Sequence, residues 1–312
     1  MNNLLISLNV VAPLFLLMLL GFGMRRLSWL GAQTVAQMNR ITFRVFLPTM
    51  LFINISTCDL QQDFHLPTIL AAVGMSLFSA LLAAFIAFLL EKDPARRASM
   101  AQGMFRNNYI LFGIPIMTAV YGPSSTGYIS MLLAFIIPLN NVLAVIEMQI
   151  IAGKSRSAGA VVKGVATNPF VIAAVLGFVF LLCRIELPAA VSKAVSNVGS
   201  IANPLSLILL GASLEFGAIK GYARDILVGC GVKLILLPLI FVTILVACGV
   251  RGERLLVLFI ASATPAAVST QIMAREMGGD GNLAGHLVVF GTAFSVLTLF
   301  FWIFILNALH LL

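Results

Sequence analysis

Polar side chains able to hold a ligand occur at a few points inside long apolar stretches of this chain, and most of them stand close to a proline. Asn107 and Asn108 precede Gly113 and Pro115, Asn203 adjoins Pro204, Ser269, Thr270 and Gln271 follow Pro265, and Asn140 and Asn141 form a further pair. A proline inside a helix removes one backbone donor and clashes with the preceding turn. In lipid the carbonyls it frees need partners in protein or in a water-lined cavity, so such breaks belong at a buried polar site. The half-helix that resumes beyond a break offers unsatisfied N–H groups and the positive end of its dipole, both of which favour an anion. The chemistry on offer is binding, with no catalytic residue, metal ligand or cofactor expected.

The elements that must position these groups are membrane helices. The 312 residues are 61% hydrophobic and only 10% charged, with a mean hydropathy of +1.07, whereas a soluble domain is roughly 45–50% apolar and about 25% charged. A bilayer span takes roughly 20 mainly apolar residues. Apolar runs broken at charge, Gly and Pro predict ten spans near 4–24, 35–57, 66–90, 99–121, 126–152, 168–184, 189–214, 225–249, 254–276 and 283–309. The run at the N-terminus lacks a basic leader and reads as a first span, not a cleaved signal. One membrane domain is expected.

The net charge of +8 does not point to nucleic acid, because the basic residues are scattered through short connections instead of gathering on one face. Their distribution is topological. Loops of odd number carry 11 Lys and Arg residues, among them Arg25, Arg26, Lys92, Arg96, Arg97, Lys154, Arg156 and Lys220, while loops of even number carry 4. Basic residues accumulate on the cytoplasmic side, so both termini are expected outside the cytoplasm. The stretch 153–167 is the one long connection, and it falls midway as a cytoplasmic linker. It divides the chain into a repeat at 1–152 and a second at 168–312. Five spans in each half insert the second upside down relative to the first. Proline recurs in step, inside the second span of each half at Leu47-Pro48 and Asn203-Pro204, and inside the fourth at Pro115 and Pro265.

Charged residues inside spans are costly and need compensation. Arg106 admits two readings, snorkelling to the cytoplasmic end of its span or facing the site. Arg40, Arg44 and Lys233 are placed within a turn or two of the surface, where snorkelling suffices, and are left out of the site. Glu147 lies deep in span five yet near the following loop, which makes it a candidate for proton or cation coupling. Cys58, Cys183, Cys230 and Cys248 sit at or near helix ends without CxxC pairing, and read as small apolar packing.

The residues around the breaks resemble the auxin efflux carrier family, which includes plant PIN-type carriers and bacterial relatives linked to malonate and other carboxylates. Asn108 is followed at the family's spacing by Gly113-Ile114-Pro115 and Tyr121-Gly122, Ala263-Thr264-Pro265 by Ala274-Arg275-Glu276, and Asn39-Arg40 precedes Pro48 in the family's register. Leu187-Pro188, Lys193 and Gly211 add to the match. The resemblance implies a crossover fold, with helices four and nine proline-broken and crossed, the first two spans of each repeat as scaffold and the other three as a moving, elevator-like transport domain. It also implies substrate contacts at Leu47, Asn108 and a Pro115–Pro265 crossing.

Expected from the whole is a secondary carrier of a small organic anion in the cytoplasmic (inner) membrane. Its partners are the anion and the lipid bilayer, with a homodimer left open. The linker is too short for the long cytoplasmic insertion of plant members. Ala266-Ala267-Val268 replaces their Gln-Gly-Ile, and Asn140-Asn141 stands where they are more aromatic, so a carboxylate smaller and more polar than auxin is expected. A sodium- or proton-coupled carrier on the same scaffold is the alternative, and Glu147 is the one carboxylate in a span interior to serve it. An intramembrane hydrolase is the rival of another class. Gly279-Asp280-Gly281 has the form of an aspartyl-protease signature but lacks a second aspartate within a span, and His286 has no nucleophile to serve.

Overall fold

The computed structural model describes residues 2–57, 65–122, 125–152, 158–214 and 219–312. Cys58, Lys154 and Arg156, and the side chain of Lys220, lie outside the described residues. Among the described residues the regular structure is entirely helical. Five stretches are long and apolar enough to cross a membrane: Leu66–Leu90, Leu132–Ala152, Ala189–Ala212, Gly221–Ala247 and Gly281–Ala308. Rows of exposed apolar side chains such as Leu77, Leu81 and Phe85, or Leu297, Phe301 and Phe304, are favourable only against an apolar surrounding.

The first half runs α1 (Asn2–Arg26), α2 (Ala32–Ile41), α3 (Leu47–Ser56), α4 (Leu66–Leu90), α5 (Pro94–Phe105), α6 (Tyr109–Tyr121) and α7 (Thr126–Glu147). Then follow α8 (Ala158–Ala166), α9 (Pro169–Leu182), α10 (Ala189–Ser200), α11 (Ala202–Ala212), α12 (Ile219–Gly231), α13 (Leu237–Ala247), α14 (Gly252–Ala263), α15 (Ser269–Met277) and α16 (Gly281–Ala308). Side-chain caps set several starts, because the first N–H groups of a helix have no partner within it. Asp93 accepts from the N–H of Arg96 at 2.8 Å ahead of α5, and Asn168 accepts from Phe170 ahead of α9. Asp280 accepts from Asn282 and Leu283 ahead of α16, which gives the Gly-Asp-Gly motif a capping role.

The prolines act differently from one another. Pro48 does not break its helix: residues Thr42–Phe46 form a wide π turn between α2 and α3, and the helix runs on through it. A turn with one extra residue absorbs the missing donor. The same device recurs at Val232–Leu236 ahead of Pro238. Pro204 lies in the first turn of α11, where its absent N–H is no loss, and the interruption precedes it at Ile201. Pro115 lies inside α6, and the break in that span is two turns earlier, at Arg106–Asn108. Only Pro265 sits within a true break, the non-helical stretch 264–268 between α14 and α15. The linker expected at 153–167 contains helix α8. Cys230, expected near a helix end, is buried inside the continuous Gly221–Ala247 stretch.

Helix α5 is buried on every side from Ala98 to Phe105, and α14 from Leu255 to Ala263. Helices covered all round are core helices, so the half-helices that run into the two breaks form the centre of the molecule. Helix α1 packs on α11, and α3 on α9. The first contact needs glycine: a Cβ on Gly21 would stand 1.9 Å from the Ile208 carbonyl oxygen, and one on Gly211 the same 1.9 Å from that of Met18. Small residues let membrane helices approach this closely.

Candidate functional site

The two breaks meet. The Asn108 N–H donates to the Pro265 carbonyl at 2.9 Å, so the crossing joins Asn108 to Pro265 and leaves Pro115 within α6, apart from it. Beside it lies a cavity of about 60 Å³, room for a handful of water-sized groups. Its walls come from both breaks, from Leu47, Met50, Leu51 and Asn54 of α3, from Ile137, Asn140 and Asn141 of α7, from Phe170 of α9 and from Asn203 of α11. Asn108 and Tyr109 at the start of α6, and Val268 and Ser269 at the start of α15, line it together. Two helix N-termini therefore open onto one small space, the arrangement that favours negative charge.

Arg106 brings a full charge to the same space. It is 3% exposed, so it does not snorkel to the surface. Its Nη2 donates to Asn141 Oδ1 at 2.7 Å and to Ser269 Oγ at 2.9 Å, and its Nη1 lies 3.8 Å from Met273 Sδ. These partners are all neutral. Among the described residues the ion pairs formed by arginine are those of Arg96 with Glu91 and, at 2.5 Å, with Asp225. Asn108 adds a second donor, because its Nδ2 is buried with no protein partner. Asn140 Nδ2 donates to Tyr109 Oη at 2.8 Å and Asn107 Nδ2 to the same oxygen at 3.1 Å, which locks the asparagines to the start of α6.

The structure thus brings together Leu47, Asn107, Asn108, Asn140, Asn141, Asn203 and Ser269 around one cavity. Pro265 supports it from the crossing. Four expected members lie elsewhere. Pro48 is buried within its continuous helix, and Gly113 packs on Ile129, whose Cδ1 would stand 2.6 Å from an added Cβ. Pro115 is inside α6, and Gln271 is buried beside Gly285. Glu147 ends α7 and does not line the cavity; its Oε2 is buried without a hydrogen-bond partner, within electrostatic reach of Arg106.

Lys233 is the main correction. Expected to snorkel, it is 2% exposed and buried behind the crossing, where its Nζ donates to Asn107 Oδ1. The signal was available in its position five residues before Pro238 in an apolar run. Met50 and Asn54, also unanticipated, stand two and six residues after Pro48, and Asn54 is an amide in an apolar run, so the same kind of signal was present for them. Arg40 and Arg44 are exposed, as expected.

A bundle of apolar helices with two breaks meeting at a buried polar cavity defines a multi-pass helical membrane protein. The chain belongs to the family described as membrane transport protein, whose model matches residues 6–303, in accord with the auxin efflux carrier resemblance carried by the motifs. It is 25% identical to "Uncharacterized transporter YfdV" of Escherichia coli strain K12, with 94% of this chain and 95% of that protein covered. It is 22% identical to an "Uncharacterized transporter" of Methanothermobacter thermautotrophicus, covering 95% and 97%. A "Putative malonate transporter" of Rhizobium meliloti is 20% identical, covering 93% and 92%.

Proposed function

We propose that this protein is a secondary carrier of a small organic anion, a short carboxylate of the size of malonate, which binds in the cavity beside the crossing. The observation that carries this reading is Arg106, a buried guanidinium held only by neutral partners, beside the unpartnered Nδ2 of Asn108. The buried Glu147 carboxylate acts on Arg106 from further along α7 without pairing with it; a buried charge without a direct counter-charge is costly, and an anion in the cavity would supply one. Fork-like pairing of guanidinium with carboxylate adds orientation. The small volume favours a short acid over an aromatic one. A relative named for malonate supports the same class.

Two inverted five-helix repeats account for the packing. The first helix of the first half lies on α11 in the second span of the other half, while α9, the first span of the second half, lies on α3 in the second span of the first. Those four spans are the scaffold, and the other three spans of each repeat, which include α5, α6, α14 and α15, are the part that moves. A second cavity of about 230 Å³ shares Met50, Asn54 and Asn203 with the first, and it is the route by which the anion enters between α3 and α10. The loop charges set both termini outside the cytoplasm.

Counterflow in proteoliposomes tests the carrier reading. Vesicles loaded with malonate should accumulate labelled malonate from outside, in competition with other short mono- and dicarboxylates. Absence of counterflow with every carboxylate of a panel, from a protein shown to be folded, would overturn it. A tag fused after Leu312 that proves accessible from the cytoplasm would reverse the orientation alone.

A further inference from the structure

The back of the crossing holds a group that the anion site does not use. Lys233 lies in the π turn between α12 and α13, with its ammonium buried against the ends of both broken helices. Its Nζ donates to Asn107 Oδ1, to the Phe105 carbonyl at 3.4 Å and to the Ser262 carbonyl at 3.3 Å. Phe105 ends α5, and Ser262 lies in the last turn of α14. These are carbonyls that a helix end leaves without an intrahelical partner, and they carry the negative ends of the two helix dipoles.

Counting donors favours the ammonium form. Asn107 Nδ2 is committed to the Phe105 carbonyl at 2.9 Å and to Tyr109 Oη at 3.1 Å, so the amide oxygen must be what faces Lys233. All three groups around Nζ are then acceptors, and three acceptors match the three N–H donors of an ammonium, where a neutral amine has two. Among the described residues no carboxylate forms an ion pair with Lys233. Carbonyls and dipoles alone hold this cation.

In carriers built on discontinuous helices, half-helix C-terminal ends and unwound carbonyls are where a coupling sodium ion is coordinated. We propose that Lys233 is a built-in cation standing where such an ion would bind, so that this carrier assembles its anion site without sodium. Lys233 is a positioning residue: it reaches the cavity only through Asn107, a residue of its lining. A tethered cation is always present, so no ion gradient is spent in forming the crossing. The inference rests on the proposed anion site for its effect on binding, but not for its effect on the fold.

The test uses the purified full-length protein with sodium chloride or N-methylglucamine chloride at equal ionic strength. Without any carboxylate added, the wild-type thermal midpoint should be the same in the two chloride salts, and malonate affinity measured in each should agree within twofold. Lys233→Met, which keeps length and loses charge, should bind malonate at least tenfold more weakly. Lys233→Ala should behave likewise and regain affinity and midpoint with n-propylammonium, which fits the space vacated, but not with tetramethylammonium. A saturable rise of the wild-type midpoint with sodium would overturn the inference, as would a Lys233→Met protein with wild-type affinity. Should wild type bind no carboxylate at all, the carrier reading falls while the salt comparison on the midpoint still decides about Lys233. If neither variant folds, the same wild-type comparison decides it.

Discussion

The two breaks at the centre of this protein solve one structural problem with opposite chemistry. The first, Arg106-Asn107-Asn108, contains no proline and is polar in every side chain; the second, Thr264 to Val268, contains Pro265 and is mostly small and apolar. Only the first can supply side-chain donors to the cavity: Arg106 Nη2 reaches Asn141 and Ser269, and Asn108 Nδ2 is unpartnered. The second supplies backbone, since its Pro265 carbonyl receives the Asn108 N–H and its end exposes the start of α15. Anion selectivity is therefore expected to reside in one break, and the shape of the crossing in the other.

Substitutions can break or sharpen that division. Arg106→Gln should have the largest effect, because truncating one partner of a buried charge pair costs about 2–5 kcal/mol, roughly thirtyfold to several thousandfold in affinity. Titration of malonate into purified protein measures it, and an effect under threefold would remove Arg106 from the site. Next comes Asn108→Ala. Losing one hydrogen bond to a charged group should cost about 1.5–3 kcal/mol, or roughly ten- to hundredfold, with the thermal midpoint little changed. Unchanged affinity would leave Asn108 a packing residue.

Ser269→Ala tests the start of α15, just beyond the second break. Its hydroxyl orients Arg106 as a neutral acceptor, and removing it should weaken binding by about 1 kcal/mol, roughly fivefold. A loss as large as that of Arg106→Gln would contradict the division. The smallest effect is expected at Pro115. Pro115→Ala restores a backbone donor inside α6, so malonate affinity should stay within twofold of wild type and the thermal midpoint should hold or rise. A large loss of affinity there would return Pro115 to the crossing and undo the assignment of the break to residues 106–108.

Much of this was legible before the fold. Apolar runs gave most helix bounds within a few residues, α8 excepted, since burying a backbone in lipid leaves few choices beyond the helix. Asn107, Asn108, Asn140, Asn141, Asn203 and Ser269 stood out because an amide or hydroxyl in an apolar run needs a reason to be there. Proline was the weaker guide. Pro48, Pro115 and Pro265 read alike in sequence, yet one follows a π turn, one sits in an intact helix and one lies in a break. The difference depends on what surrounds each freed carbonyl, which proline itself does not encode.

Lys233 shows the limit most clearly. From sequence it was a long cation with a short path to water; in the fold, three acceptors from two distant segments close around it. Composition and spacing alone determined that this chain is helical, lives in a membrane and carries donors near broken helices, because those follow from local hydrophobicity and single-residue chemistry. Which break receives the charge, which proline interrupts a helix and which cation is buried were decided only when α5, α6, α12, α14 and α15 packed together, because each depends on at least one partner more than a hundred residues away.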